Sequence, residues 1–158
     1  MTQESDGADL GRLVGYQLKR VQAALRSTMD ATLRRHDLTT PQYVCLELLD
    51  QRPGLSNAEL ARGAFVTRQS MNVLLRNLED AGLVERPASA PQGRALPTTL
   101  TAQGRARLAA ARGDVLEIER RMTGHLDAEQ AELLLGHLER MTGALEDRPS
   151  PDAVHRRR

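Results

Sequence analysis

Apolar residues recur at helical spacing along most of the chain. Leu10, Leu13 and Val14, then Leu18, Val21 and Leu25, then Met29 and Leu33, mark one face of a helix over about residues 9–36, a stretch without proline. About 27 residues at 1.5 Å rise each span roughly 40 Å. That is long for a small domain and implies a partner along its length. The next segment, TTPQYVCLELLD, predicts a helix with Thr40 as N-cap and Pro41 at N1, running to about Asp50 and stopping before Pro53. Ser56 opens S-N-A-E, a capping box with Glu59 at N3, and a short helix is expected to about Gly63. Phe65 and Val66 form a turn, and Thr67 is the expected N-cap of another helix. In that helix Met71, Leu74, Leu75 and Leu78 make an apolar stripe. Gly82 is placed to end it as a left-handed C′ residue, with Leu83 as the apolar C″.

A capped short helix, a tight turn and an amphipathic helix in a row have helix-turn-helix order. Two strands are expected next, LVER at 83–86 and ALPTTLT at 95–101, joined by the loop PASAPQGR at 87–94. A proline at 97 confines the second strand to an edge. A helix-turn-helix followed by a two-stranded hairpin is a winged helix, and the tip of the wing carries Arg94, which can reach a narrow minor groove. Thr101 is expected to cap a helix to about Gly124, on which Leu108, Ala111, Val115, Ile118 and Met122 step as an a/d seam. Asp127 with Gln130 forms another capping box, ahead of a last amphipathic helix carrying Leu134, Leu138, Met141 and Leu145. The expected fold is therefore mainly α with a small β-wing. It divides into an N-terminal dimerisation helix (1–38), a winged helix-turn-helix (39–101), C-terminal dimerisation helices (102–147) and a flexible tail (148–158).

The face opposite the stripe at 71–78 carries Gln69, Asn72, Val73 and Arg76. Arg suits guanine, Asn and Gln suit adenine, and an apolar side chain suits the thymine methyl. A solvated helix bearing one stray valine is the plainer reading of the same residues. Thr67, Arg68 and Ser70, at the helix start, are placed to meet phosphate, which sets register without reading sequence. Arg52 and Arg62 could do the same or simply be solvated.

Composition narrows the partner question only a little. The 158 residues are 40% hydrophobic, 27% charged and 2% aromatic, so the core must be aliphatic, which favours helix packing over a β-sandwich. Net charge is +1, so any attraction to DNA must come from local placement of charge. Lys19 is the one lysine; the other basic residues are arginines, the better groove and phosphate readers. The absence of a long apolar run or an apolar N-terminal leader predicts a cytoplasmic protein without a membrane span. Cys45 is the one cysteine, so no intrachain disulfide can form.

The stretches TPQY (40–43), SNAELA (56–61), NLEDAGLVER (77–86), GRA (93–95) and LTAQG (100–104) together resemble the MarR family of bacterial transcription regulators. The resemblance runs from Tyr16 to about Leu145. It implies a dimeric winged helix of triangular outline, joined through its N- and C-terminal helices. Its recognition helices would enter successive major grooves and its wings the flanking minor grooves. Many members are repressors released by a small phenolic ligand or by oxidation. This chain departs from the family at Gln92, where an acid usually precedes the arginine matching Arg94 by two residues, and at Pro97. The reactive cysteine of peroxide-sensing members is matched here by Arg12, which disfavours that mechanism.

Other chemistry-bearing residues carry plainer expectations. Cys45, between Val44 and Leu46, reads as a buried structural thiol. His36, His125, His137 and His155 are too far apart for metal-ligand spacing, so neither metal nor cofactor is expected. Tyr16 and Tyr43 could line an effector cavity or simply pack. Nothing resembles a nucleophile elbow, a phosphate loop or a paired-carboxylate site, so no catalytic residues are assigned. The leading expectation is a homodimeric repressor that reads a pseudo-palindromic duplex and responds to a small aromatic effector. The rival is a winged-helix module that binds another protein and reads no DNA sequence.

Overall fold

The computed structural model describes residues 9–86 and 97–146. Its elements are α1 (Val14–Arg34), α2 (Thr40–Gln51), α3 (Asn57–Gly63), α4 (Arg68–Asp80), β1 (Val84–Glu85), β2 (Thr99–Leu100), α5 (Ala102–Thr123) and α6 (Ala128–Glu146). The chain falls into two compact units, Met1–Ile118 and Glu119–Arg158.

In the first unit, the apolar stripes of α1, α2, α3, α4 and α5 meet in one core. Leu33, Leu46, Leu60, Met71, Leu75, Leu78 and Leu108 are almost wholly buried there. Most of the α5 seam is therefore spent inside this chain, because Leu108, Ala111 and Ile118, with Val115 packed against them, close the same core as Met29 and Leu33 of α1. The wing strands pair antiparallel, Val84 opposite Leu100 and Glu85 opposite Thr99. They are shorter than expected: β2 begins two residues after Pro97, which has no N–H to give a ladder.

Local signals account for most element ends. The first helix is interrupted, with a 3₁₀ turn at Leu10–Arg12 and an extended Leu13 before α1 begins. Asp9 accepts a hydrogen bond from the Gly11 amide, and glycines at 11 and 15 weaken helix propensity on either side of the break. The N-cap of α2 is Thr39, one residue earlier than expected; Gln42 at N3 completes a reciprocal box with it and places Pro41 at N2. Ser56 with Glu59 caps α3 as expected, and Thr67 caps α4.

Helix α4 ends in a Schellman motif. Gly82 has φ 71°, its N–H donates to the Glu79 carbonyl, and Leu83 N–H donates to Leu78. Thr101 pins the start of α5 to that turn. Its N–H donates to the Leu83 carbonyl, its hydroxyl donates to the Gly82 carbonyl at 2.7 Å, and its Oγ1 accepts from the Gly104 N–H. A Cβ on Gly104 would stand 2.0 Å from the Leu83 carbonyl oxygen, so α5 approaches this turn as closely as glycine permits. Helix α3 ends in the same motif with Phe65 in the left-handed position, φ 57°. A side chain there costs about 1–2 kcal/mol relative to glycine.

In the second unit, Asp127 and Gln130 cap α6 reciprocally, as expected. No residue of α6 is buried, and Leu134, Met141 and Leu145 are exposed.

Candidate nucleic-acid interface

The face of α4 opposite Met71, Leu75 and Leu78 is open. Gln69, Asn72, Val73 and Arg76 are all exposed on it, and Thr67, Arg68 and Ser70 are exposed at its N-terminal end. The structure thus brings together seven of the eight residues expected to touch DNA. Arg94, the eighth, lies with Gln92 outside the described residues.

Thr67 Oγ1 accepts from the Ser70 N–H at 3.0 Å and lies 2.9 Å from the Ser70 hydroxyl. That satisfies one free N–H of the first turn and leaves earlier ones outward, at the positive end of the helix dipole. Asn72 is not free in the way its position on the helix suggests, because Asn57 of α3 donates an amide hydrogen to Asn72 Oδ1. Bidentate reading of adenine needs that oxygen as an acceptor. The second lone pair of that oxygen and the Asn72 N–H₂ stay available, so the contact from Asn57 orients the amide without using it up.

An open depression of about 470 Å³ runs beside the reading helix, between Thr39, Pro41 and Gln42 at the start of α2 and Gln69, Ser70, Val73 and Asn77 of α4. Arg52 and Arg62 face a second depression together with Glu59. The Glu59 carboxyl is held below its ordinary pKa, first by the Ser56 backbone and then, more weakly, by Arg62 and Arg52. Part of those two positive charges is thus answered within the chain.

Helix periodicity does not show the ion-pair network joining α2 to α5. Arg112 forks onto Glu47 with both N···O distances at 2.9 Å and reaches Asp50 at 2.7 Å. Tyr43, buried at 6% exposure, donates its hydroxyl to Glu47 at 2.7 Å. Burial and the neighbouring carboxylate push the tyrosine pKa up, while the Arg112 fork holds the Glu47 carboxyl down. The i, i+4 spacing of Tyr43, Glu47 and Gln51 is visible in the chain, but the arginine that answers it lies 65 residues away. Tyr16 is exposed on α1. His36 meets Asp114 at 2.8 Å, and Arg35 joins the same carboxylate.

Cys45 is fully buried against Met71, and burial pushes its thiol up to about 12. Among the described residues no group of three His, Cys, Asp or Glu side chains could hold a metal ion, and no helix is long and apolar enough to cross a membrane.

Comparison with known proteins bears on the same regions. A model of the MarR family matches residues 36–95. The HTH-type transcriptional repressor Rv2887 of Mycobacterium tuberculosis is 53% identical over 117 residues, covering 74% of this chain and 84% of that protein. The crystal structure of the MarR family protein Rv2887 in complex with salicylic acid aligns with a TM-score of 0.67 at 50% identity, over 82% of this chain and 96% of its own. The structure of Rv2887 in complex with DNA aligns at 0.66 and 46% identity, over 82% and 97%.

Proposed function

This chain belongs to the MarR family of winged-helix transcription regulators, and from that membership we propose that it is a homodimeric repressor reading a pseudo-palindromic operator. One observation carries the reading: the face of α4 opposite its buried stripe is exposed and holds Gln69, Asn72, Val73 and Arg76. The structure of the relative Rv2887 in complex with DNA supports the DNA-binding reading.

Arg76 reads a guanine edge with its fork, Gln69 an adenine, and Val73 a thymine methyl. Asn72, held by Asn57, presents its amide to an adenine edge. Thr67, Arg68 and Ser70 set the register on phosphate, and Arg94 of the wing enters the minor groove. A second copy covers the apolar residues exposed at Leu13, on the first half of α1 (Val14, Leu18 and Val21) and on α6 (Leu134, Met141 and Leu145). A two-fold dimer requires half-sites about one helical turn apart. As a reader of chromosomal DNA the protein works in the cytoplasm.

The salicylic acid complex of Rv2887 supports release by a small aromatic acid. Tyr16 and Tyr43 line its site. The Tyr43 hydroxyl is already given to Glu47.

The deciding experiment selects sites from a random duplex pool and measures affinity for the winner at two salt concentrations. A two-fold symmetric motif, bound far more tightly than scrambled DNA and with a steep salt slope, is expected. No motif and weak binding at low salt, with and without aromatic acids, would leave the winged helix as a protein-binding module.

A further inference from the structure

We infer that Phe65 is a DNA contact, laying its ring against the sugar edge of the duplex backbone at the rim of the groove entered by α4. The inference rests on the repressor reading above. Three features of this residue point the same way.

The first is strain. Phe65 occupies the left-handed C′ position of the motif that ends α3, with its N–H donating to the Arg62 carbonyl and the Val66 N–H donating to Ala61. Helix α4 closes in the same way, but with glycine at 82. Glycine adopts this conformation freely and a bulky side chain does not. The second is exposure. The ring is 94% exposed, the most exposed large hydrophobic residue among those described, so the fold gains little from it. A strained backbone carrying an uncovered aromatic ring is explained by something outside the chain that covers it.

The third is location. Phe65 lies two residues before Thr67, the N-cap of the reading helix, and is flanked in sequence by the exposed Arg62 and Arg68. A partner meeting that run must accept an apolar ring between two cations. The sugar-phosphate backbone of DNA does so, with deoxyribose carbons between phosphates. Because Phe65 precedes the helix that enters the groove, its ring meets the backbone rather than a base, so the contact carries no sequence information.

The test uses the full chain and four variants, Phe65→Gly, Phe65→Asn, Arg68→Ala and Arg76→Ala, on the selected duplex and a scrambled one, at two salt concentrations. Both Phe65 variants are expected to melt higher by about 3–6 °C as the strain is released. Both should bind the two duplexes more weakly by a similar factor, about tenfold, with the salt slope unchanged because no charge is lost. Arg68→Ala should instead flatten the slope, and Arg76→Ala should weaken the selected duplex far more than the scrambled one. Unchanged affinity in the Phe65 variants would overturn the contact while leaving the repressor reading intact, since the wild type would still bind and Arg76→Ala would still be defective. A lower melting temperature would show the ring to be held by its own chain and would also overturn it. A wild type that binds no duplex would remove both readings together.

Discussion

Arg76 and Cys45 show how far a single side chain's surroundings set its chemistry. Arg76 is exposed on the reading face, so Arg76→Ala should leave melting within about 0.5 kcal/mol of wild type. It should relax one base position by about 1–3 kcal/mol, seen in a repeated site selection. Arg76→Lys keeps the charge but loses the planar fork, and should recover the salt slope without recovering the base preference. Cys45 is the reverse case. Buried, with its thiol pushed up to about 12, it carries almost no thiolate at neutral pH. Alkylation at pH 8 should therefore follow the rate of unfolding; rapid labelling of the native protein would show that the thiol is reachable. The exposed polar face of α4 was legible because helical spacing alone separates Arg76 from Leu75. The tether on Asn72 was not, since it depends on how α3 lies against α4.

Among the elements, α5 shows how a close backbone approach fixes a residue type. Gly104→Ala would drive a methyl into the Leu83 carbonyl and should cost at least about 1–3 kcal/mol. Gly113→Ala, in the same helix with nothing within 4 Å of the added carbon, should stabilise by about 0.5–1 kcal/mol. Paired urea melts of these two variants check the contrast, and equal effects would mean that α5 does not approach the turn this closely. The beginning of α5 was legible from Thr101. The packing of its seam was not, because an a/d pattern states that a face is covered without stating by what. Here Leu108 and Ala111 are covered by the chain's own core.

At the scale of the whole molecule, the fork between Arg112 and Glu47 ties α5 to the helix that precedes the reading motif. The Glu47 pKa is depressed in the folded state. Its contribution is therefore complete above the unfolded value of about 4.5 and is lost as the pH falls through the lower folded value. Arg112→Met should cost about 1–2 kcal/mol at pH 7, between the values for exposed and buried pairs. The gap from wild type should begin to narrow as the pH falls below about 4.5 and close once it passes the lower folded value. A series of melting curves from pH 7 into strong acid tests this, and a gap that never narrows would assign the loss to packing rather than to the ion pair.

The chain by itself determined most helix ends, though not the break before α1, and also which face of α4 is polar and the order of helix, turn, helix and wing. These signals act within about four residues, through caps, a left-handed glycine and the helical period. The shift of the α2 cap from Thr40 to Thr39 shows their precision, since neighbouring threonines compete and only the one with Gln42 three residues on completes a box. Tertiary structure alone decided that Arg112 meets Glu47, that most of the α5 seam is spent on the core, that Asn57 holds Asn72, and that the ring of Phe65 is left uncovered. Each of these depends on surfaces brought together from distant parts of the chain or left apart by the packing, and a hydrophobic period does not specify its partner.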